Sequence, residues 1–337
     1  MVLDATSFVA PGETPGAAAL SRFAGFDPCQ AQYHQRWQHL RDPDVRALAW
    51  LLDSPDLFDA DWPLWQGKVA RLPVPAGLDA WLNGLDADPS VLRASVPSGL
   101  RLGRYAEKLM GFYLQQQGVL YAQSVPVRAN KNDTIGEFDF LWYDGATLVH
   151  WEFATKFYLY EASIRADQDN GYFIGPNLAD SLEVKMGKIV QRQLALGQHP
   201  AAQAVLPQPV GRAQALVKGW LFYHEAGINA GNGLCATHCR GFWRTLAELD
   251  SVPGEYFALL PRRSWLAPAA LAPGQALNRA ELTSVLADWF VNDSMPQLVL
   301  CLRPHDEYWL EASRGFVVPD DWQQRARQSF PVQSGSN

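Results

Sequence analysis

The sequence has little of what holds a small secreted domain together. Its 337 residues include only four cysteines (Cys29, Cys235, Cys239 and Cys301), too few and too scattered for a disulfide framework at this length. The N-terminal stretch MVLDATSFVAPGETPG lacks a basic segment followed by an uninterrupted apolar one, so it predicts no signal peptide. We therefore expect a cytoplasmic protein.

Long apolar runs and an excess of positive charge are also missing. The uncharged stretch 109–127 is broken by four glutamines, which a bilayer span would not tolerate. Lys and Arg total 28 against 35 Asp and Glu, a net charge of −7, which argues against coating nucleic acid through bulk charge. Because residues 101–200 hold ten basic and eleven acidic residues, a local basic cleft is still compatible with the sequence.

A hydrophobic content of 48% against 19% charged residues predicts a sizeable core rather than disorder. The length favours about two domains, or one core with elaborations. The composition along the chain predicts five segments. They are a loosely ordered leader (1–28), an N-terminal helical cap (29–100), a core (101–225), a C-terminal α+β extension (226–329) and a frayed tail (330–337).

The order of elements in the core is the most informative pattern. Apolar spacing predicts a helix over 101–117, ended by Gly118. Three strand-like runs separated by turn residues follow it, and then a helix and another strand. The strands are expected over 119–128, 137–143, 147–160 and 215–224, and the second helix over 180–196 with Asp180 as its N-cap.

Outside the core, helical spacing with Asp44 at the N-cap position predicts a helix that Pro55 stops. Further helices are expected over 242–249 and 279–291, and further strands over 256–260 and 297–302. The fold class is therefore α/β, with a mixed sheet of four or five strands flanked by helices.

Acidic residues on two consecutive strands of the core carry the functional signal. Side chains alternate along a strand, so Asp139 shares a face with Glu137, and Glu152 shares one with Lys156. Two carboxylates on a largely buried sheet need a compensating cation. Mg²⁺, with Mn²⁺ as a substitute, would accept Asp139 and Glu152 as ligands, and Glu107 on the preceding helix could add a third. The alternative is an ion-pair network that includes Lys156 or Arg104.

The stretch GEFDFLWYDGATLVHWEFATKFYLY, preceded by GRYAEKL, resembles the core of the PD-(D/E)XK nuclease superfamily. That core has a helix, three antiparallel strands, a helix and a fourth strand, with metal-binding acids on the second and third strands. More narrowly, HLRDPDVRALAWLLDSPDL, HWEFATKFYL, GPNLADSLEVK and SRGFVVPDDW resemble an uncharacterised bacterial family of conserved hypothetical proteins related to that superfamily.

The resemblance implies roles for individual residues. Asp139 matches the motif aspartate, Glu152 the motif glutamate and Glu107 the helical acid. The motif lysine should lie two residues after Glu152, where this chain has Ala154. Lys156 is about 13 Å of extended chain from Glu152, so either a bulge brings it closer or the next helix supplies Lys185.

Two functions follow as expectations. The first is a Mg²⁺-dependent nuclease that cuts DNA, or RNA as the alternative, with a homodimer serving to cut two strands. The second is an inactive nuclease-like module that binds nucleic acid or a protein partner, which Ala154 and the acidic net charge favour. Substrate contacts are expected from a set of polar side chains: Arg104, Arg128, Lys131, Lys188 and Gln191.

Overall fold

The structure, a computed structural model, describes residues 21–72, 76–131, 133–164, 172–228, 231, 233–272 and 274–330. Residues 1–20 of the predicted leader and 331–337 of the predicted tail lie outside the described residues. The described α-helices are α1 (Pro28–Trp37), α2 (Pro43–Asp53), α3 (Leu78–Ala87), α4 (Ser90–Ser95), α5 (Leu102–Gln116), α6 (Leu182–Lys188), α7 (Arg279–Asn292) and α8 (Trp322–Ser329).

The described strands belong to one sheet. They are β1 (Leu120–Asn130), β2 (Asp133–Asp144), β3 (Thr147–Tyr160), β4 (Phe173–Ile174), β5 (Arg212–Tyr223), β6 (Cys239–Thr245), β7 (Tyr256–Leu259), β8 (Ala270–Leu271), β9 (Leu277–Asn278), β10 (Gln297–His305) and β11 (Tyr308–Val318). Nine strands follow the order β1-β2-β3-β5-β6-β11-β10-β7-β9, while β4 pairs with β3 and β8 with β11. The prediction of a mixed sheet flanked by helices is confirmed in outline.

Parallel pairing is confined to the middle of the sheet. The pairs β3–β5, β5–β6 and β6–β11 are parallel, whereas the β1–β2–β3 meander is antiparallel. Helices α2 and α5 bury their apolar residues with one face of the meander in the largest core cluster. A second cluster joins α6 to the opposite side of β3 and β5. The core strands therefore have apolar material on both faces, which limits where a polar site can form.

The prediction of a sheet with four or five strands was wrong, mainly because several strands within residues 239–318 were not predicted from the sequence. The predicted helix over 242–249 is strand β6 up to Thr245, and only Leu246–Ser251 forms a 3₁₀ helix. Thr245 and Glu248 form a capping box at that point. Trp243 is fully buried in β6, so packing against the sheet outweighs the helical character of the residues that follow.

Both predicted N-caps lie one or two positions from the actual ones. In α2 the cap is Asp42, whose carboxylate accepts hydrogen bonds from the backbone N–H groups of Asp44 and Val45. Pro43 explains the difference, because proline lacks an N–H group and suits the first helical position. In α6 the cap is Ser181 rather than Asp180.

The helix predicted over 180–196 is interrupted. Helix α6 ends at Lys188. One π-helical stretch, Ile189–Gln193, follows it directly, and the 3₁₀ segment Leu196–Gln198 comes next. A π turn shifts the direction in which the following side chains point. No helix among the described residues is both long and apolar enough to cross a membrane.

A buried ion pair links the last long strand to the N-terminal helices. Glu311 and Arg314 of β11 are both fully buried and form two contacts of 2.6 and 2.8 Å. Gln30 of α1 donates to the same carboxylate at 3.0 Å, as does the backbone N–H of Ala269 at 2.9 Å. The guanidinium also donates to the carbonyl of Ala267 at 2.9 Å. The charges are thus paired and hydrogen-bonded, as burial requires.

We predict that Arg314→Met lowers the free energy of unfolding by about 3–5 kcal/mol, because it leaves the Glu311 carboxylate buried without its cation. Urea denaturation at neutral pH measures the loss. The control is Arg212→Met, which removes an exposed ion pair with Asp144 and should cost about 1 kcal/mol or less. Similar losses in the two variants would contradict a special role for the buried pair.

Candidate metal and phosphodiester site

The candidate site lies where β2 and β3 stop pairing. Their ladder runs from Asp144–Thr147 to Phe140–Trp151, and Asp139 and Glu152 are the next residue on each strand. The Asp139 carboxylate accepts a hydrogen bond of 3.0 Å from the backbone N–H of Phe153. It thereby occupies the place where the two backbones separate. The meander predicted from the sequence is thus what brings these two acids together.

Asp139 and Glu152 share a proton. Burial first, and then the charge of Asp139 and a hydrogen bond to it, raise the pKa of Glu152 to about 9. Burial also raises the pKa of Asp139 to about 6, although the N–H of Phe153 opposes that shift. At neutral pH the pair therefore holds one proton, on Glu152. Removing this proton leaves two buried like charges, which a cation would stabilise.

Two further acids lie on the other side of Asp139. One carboxylate oxygen each from Glu107, Glu137 and Asp139 lies within 4.8 Å of the other two. Glu107 comes from α5 and is buried, and Glu137 comes from β2. We define these three residues as the acidic cluster. Glu137 shares a strand face with Asp139, as alternation along β2 predicts, but it was not among the predicted ligands.

Ser124 supports the cluster from strand β1. Its hydroxyl donates to Glu107 Oε1 at 2.9 Å, and its backbone has a φ of 55°. A serine in this left-handed region within a strand is strained, and such strain persists where the surrounding structure requires it. Its neighbour Gln123 donates to the carbonyl of Glu107 at 3.2 Å. Strand β1 thus fixes both the backbone and the side chain of Glu107.

Arg104 binds two members of the acidic cluster. One guanidinium nitrogen lies 2.6 Å from Glu107 Oε1, and the other lies 3.1 Å from Glu137 Oε1. The first nitrogen also donates to the hydroxyl of Ser124 at 3.2 Å. The hydrogen bond and charge of Glu107 raise the pKa of Arg104. The side chain of Arg104 is 48% exposed, so this cation sits at the mouth of the site.

The inner side of Glu152 faces the π-helical stretch. Gln193, at the end of that stretch, donates its side-chain N–H to Glu152 Oε1. The other oxygen, Oε2, is buried without a hydrogen-bond partner among the described residues, and so are both ring nitrogens of His150. His150 Nε2 lies 3.9 Å from that oxygen, and burial lowers the pKa of His150 to about 4, so the ring is neutral.

These unpartnered atoms and the acidic cluster make a set of donors that fits a hard divalent cation. A carboxylate oxygen that is buried and unpaired is costly, and oxygen ligands are those that Mg²⁺ and Mn²⁺ prefer. Asp139 belongs to both groups of acids, because it contacts Glu152 on one side and lies in the cluster on the other. It is therefore the residue around which an ion would be held.

Strand β3 carries Lys156 without a bulge. The register of β3 against β5 is continuous from Val149 to Tyr160, which rules out the bulge considered from the sequence. Burial and the charge of Lys185 lower the pKa of Lys156, while Asp180, Glu152 and Asp139 raise it. Lys156 thus stays four residues along the strand from Glu152, with its charge coupled first to Lys185 and Asp180 and then to the two acids.

Lys185 has a different partner. Its ammonium nitrogen lies 3.3 Å from Asp180, which also accepts a hydrogen bond of 3.3 Å from the Tyr158 hydroxyl. Ala154, in the position of the motif lysine, contributes a methyl group to the cluster formed with α6. Lys156 is therefore the lysine whose charge acts on Glu152, while Lys185 pairs with Asp180.

The remaining predicted substrate contacts lie on the surface, outside the acidic cluster. Arg128 and Lys131 are exposed at the turn between β1 and β2, and Lys188 is exposed at the end of α6. Gln191 is exposed and lines a groove with Lys68 and Gln203. Gln193, rather than Gln191, contacts Glu152. The π turn that turns Gln193 toward the site could not be read from helical spacing.

Residues 46–318 match the family described as a domain of unknown function, DUF1853. The match covers most of the chain, and the protein belongs to that family. No curated protein and no solved structure matches it. The expected membership of a family of hypothetical proteins is thereby supported, whereas these comparisons provide no link to the PD-(D/E)XK superfamily.

The shared proton predicts how stability depends on pH. Glu152 has a higher pKa in the folded chain than in the unfolded chain, so the folded state binds more protons above about pH 4.5. The stability that this group contributes is complete below that pH and is lost as the pH rises toward about 9. The decrease should be largest when no divalent cation is present.

We predict that Glu152→Gln weakens this pH dependence. Between about pH 5 and about pH 8, the metal-free variant should lose less unfolding free energy than the wild type, by about 2 kcal/mol. Urea denaturation in EDTA at several pH values measures the difference. The exposed Glu255→Gln is the matched control and should follow the wild type. Parallel curves for Glu152→Gln and the wild type would contradict the shared proton.

Proposed function

We propose that this member of the DUF1853 family is a Mg²⁺-dependent enzyme that hydrolyses phosphodiester bonds in DNA, with RNA as the alternative substrate. The observation that carries the proposal is the protonated pair of Asp139 and Glu152 beside the acidic cluster. Buried carboxyls with strongly shifted pKa values are typical of functional sites. Here the shift has a specific consequence, since a divalent cation would replace the shared proton.

The topology supports a PD-(D/E)XK nuclease-like core. Helix α5, the antiparallel strands β1, β2 and β3, helix α6 and then strand β5 follow one another in the chain. Strand β5 pairs with β3 in parallel, so the four strands form the sheet order β1-β2-β3-β5. Asp139 and Glu152 lie on the second and third of these strands, and Glu107 lies on the first helix. This is the arrangement that the sequence resemblance implied.

In the proposed mechanism Asp139 and Glu152 would hold the ion, and Glu107 and Glu137 would be further ligands once released by Arg104. When bound, Mg²⁺ supplies Lewis-acid activation of a phosphate oxygen and of water. Lys156, whose charge interacts with both acids, would stabilise the negative charge that develops during attack on phosphorus. Gln193 holds one oxygen of Glu152 and so orients the other. Arg104 at the mouth of the site is placed to contact a phosphate.

A second function is favoured by one observation, the methyl group of Ala154 in the position of the motif lysine. If Lys156 does not replace that lysine, the chain binds metal and nucleic acid without cutting. The two functions differ in cleavage and agree in metal binding. An experiment that measures both therefore separates them.

We predict that Mn²⁺ binds the wild type and that Asp139→Asn/Glu152→Gln weakens this binding at least tenfold, because both changes remove anionic ligands. Calorimetric titration measures the affinity, and cleavage of mixed DNA and RNA substrates is followed alongside. The control is Asp133→Asn, an exposed aspartate at the start of the same strand, β2. Absence of Mn²⁺ binding by the folded wild type would contradict the proposed metal site.

The lysine variants then distinguish enzyme from binding module. Lys156→Met should keep Mn²⁺ binding and lose about 100-fold or more in cleavage rate, a typical loss for a preorganised electrostatic group. Lys185→Met should have a smaller effect, because Lys185 faces Asp180. Metal binding by the wild type without cleavage of either nucleic acid would favour the binding module.

A further inference from the structure

Arg104 occupies the oxygens that a metal ion would need. Its guanidinium bridges Glu107 and Glu137, two of the three residues of the acidic cluster. Glu107 Oε1 accepts from both Arg104 and Ser124. In this state the positive charge of the guanidinium offsets the mutual repulsion of the carboxylates.

A divalent cation and this guanidinium oppose each other. Both would use the carboxylates of Glu107 and Glu137, and two cations a few ångströms apart repel each other strongly in a partly buried site. An ion bound at Asp139 and the cluster would therefore weaken the contacts of Arg104 with Glu107 and Glu137. The displaced guanidinium would need another anion close by.

Arg104 is well placed to find that anion in a substrate. Its side chain is 48% exposed, whereas the side chains of Glu107 and Glu152 are about one-tenth exposed or less. A planar guanidinium with several N–H donors matches two oxygens of a phosphate. A rotation of the Arg104 side chain would exchange its carboxylate partners for phosphate oxygens while α5 stays in place.

We propose that Arg104 couples the binding of metal and phosphodiester at this site. In the metal-free protein Arg104 pairs with Glu107 and Glu137. When the metal binds, the guanidinium binds a phosphodiester oxygen instead. The metal thus frees the guanidinium to bind the phosphodiester, and the phosphodiester frees the carboxylates to bind the metal. By linkage each ligand must raise the affinity of the other by the same factor. The inference rests on the metal site of the proposed function and adds the role of Arg104 as the residue that recognises the phosphodiester.

The test is a Mn²⁺ titration followed by electron paramagnetic resonance, with and without dimethyl phosphate, the simplest phosphodiester anion. Three folded proteins are compared, namely the wild type, Arg104→Gln and Arg101→Gln. Arg101 precedes α5, is exposed and forms no ion pair among the described residues, so its variant removes the same charge without the contacts. Thermal unfolding confirms that each variant is folded.

Without dimethyl phosphate, Arg104→Gln should bind Mn²⁺ about tenfold more tightly than the wild type, because its cluster is free. Saturating dimethyl phosphate should tighten Mn²⁺ binding to the wild type and to Arg101→Gln about fivefold, and should leave Arg104→Gln unchanged. Equal Mn²⁺ affinities of the wild type and Arg104→Gln, with no effect of dimethyl phosphate, would overturn the coupling and leave the metal site intact. Absence of Mn²⁺ binding in all three proteins would overturn both the site and the coupling.

Discussion

Two carboxyl groups that are buried side by side cannot both be ionised unless a cation lies between or beside them. Asp139 and Glu152 are in this situation because the β2–β3 ladder ends one residue before them. In the metal-free chain a proton on Glu152 satisfies the constraint. Three neighbouring groups help to satisfy the same constraint. The N–H of Phe153 and the side chain of Gln193 each donate to one of the two acids, and Lys156 provides a positive charge.

The acidic cluster satisfies the same constraint in a different way. Glu107 and Glu137 are paired with a guanidinium, and Asp139 belongs to both arrangements. Without metal, one proton and one arginine therefore offset part of the negative charge of these four acids. The arginine is exchangeable, because the side chain of Arg104 is half exposed. The unpartnered oxygen of Glu152 and the strained backbone at Ser124 are features that these ion pairs do not account for.

The sequence predicted the parts of this site that depend on local pattern. Alternation along β2 and β3 and the helical spacing of α5 were enough to bring Glu107, Asp139 and Glu152 together. The contribution of Gln193 was not predictable, because a π turn breaks the helical periodicity on which the prediction relied. The extent of the sheet was missed for a related reason. Residues such as Trp243 adopt a strand through burial against distant parts of the chain, and no local pattern encodes that contact.

The account depends most directly on the exchange of a proton for a metal ion at Asp139 and Glu152. Calorimetric titration of Mn²⁺ near neutral pH, repeated in two buffers with different ionisation enthalpies, gives the number of protons released for each ion bound. We expect about one proton released per Mn²⁺ by the wild type, as linkage requires for a ligand that must be deprotonated, and markedly less by Glu152→Gln. Mn²⁺ binding to the wild type with no proton release would contradict the account.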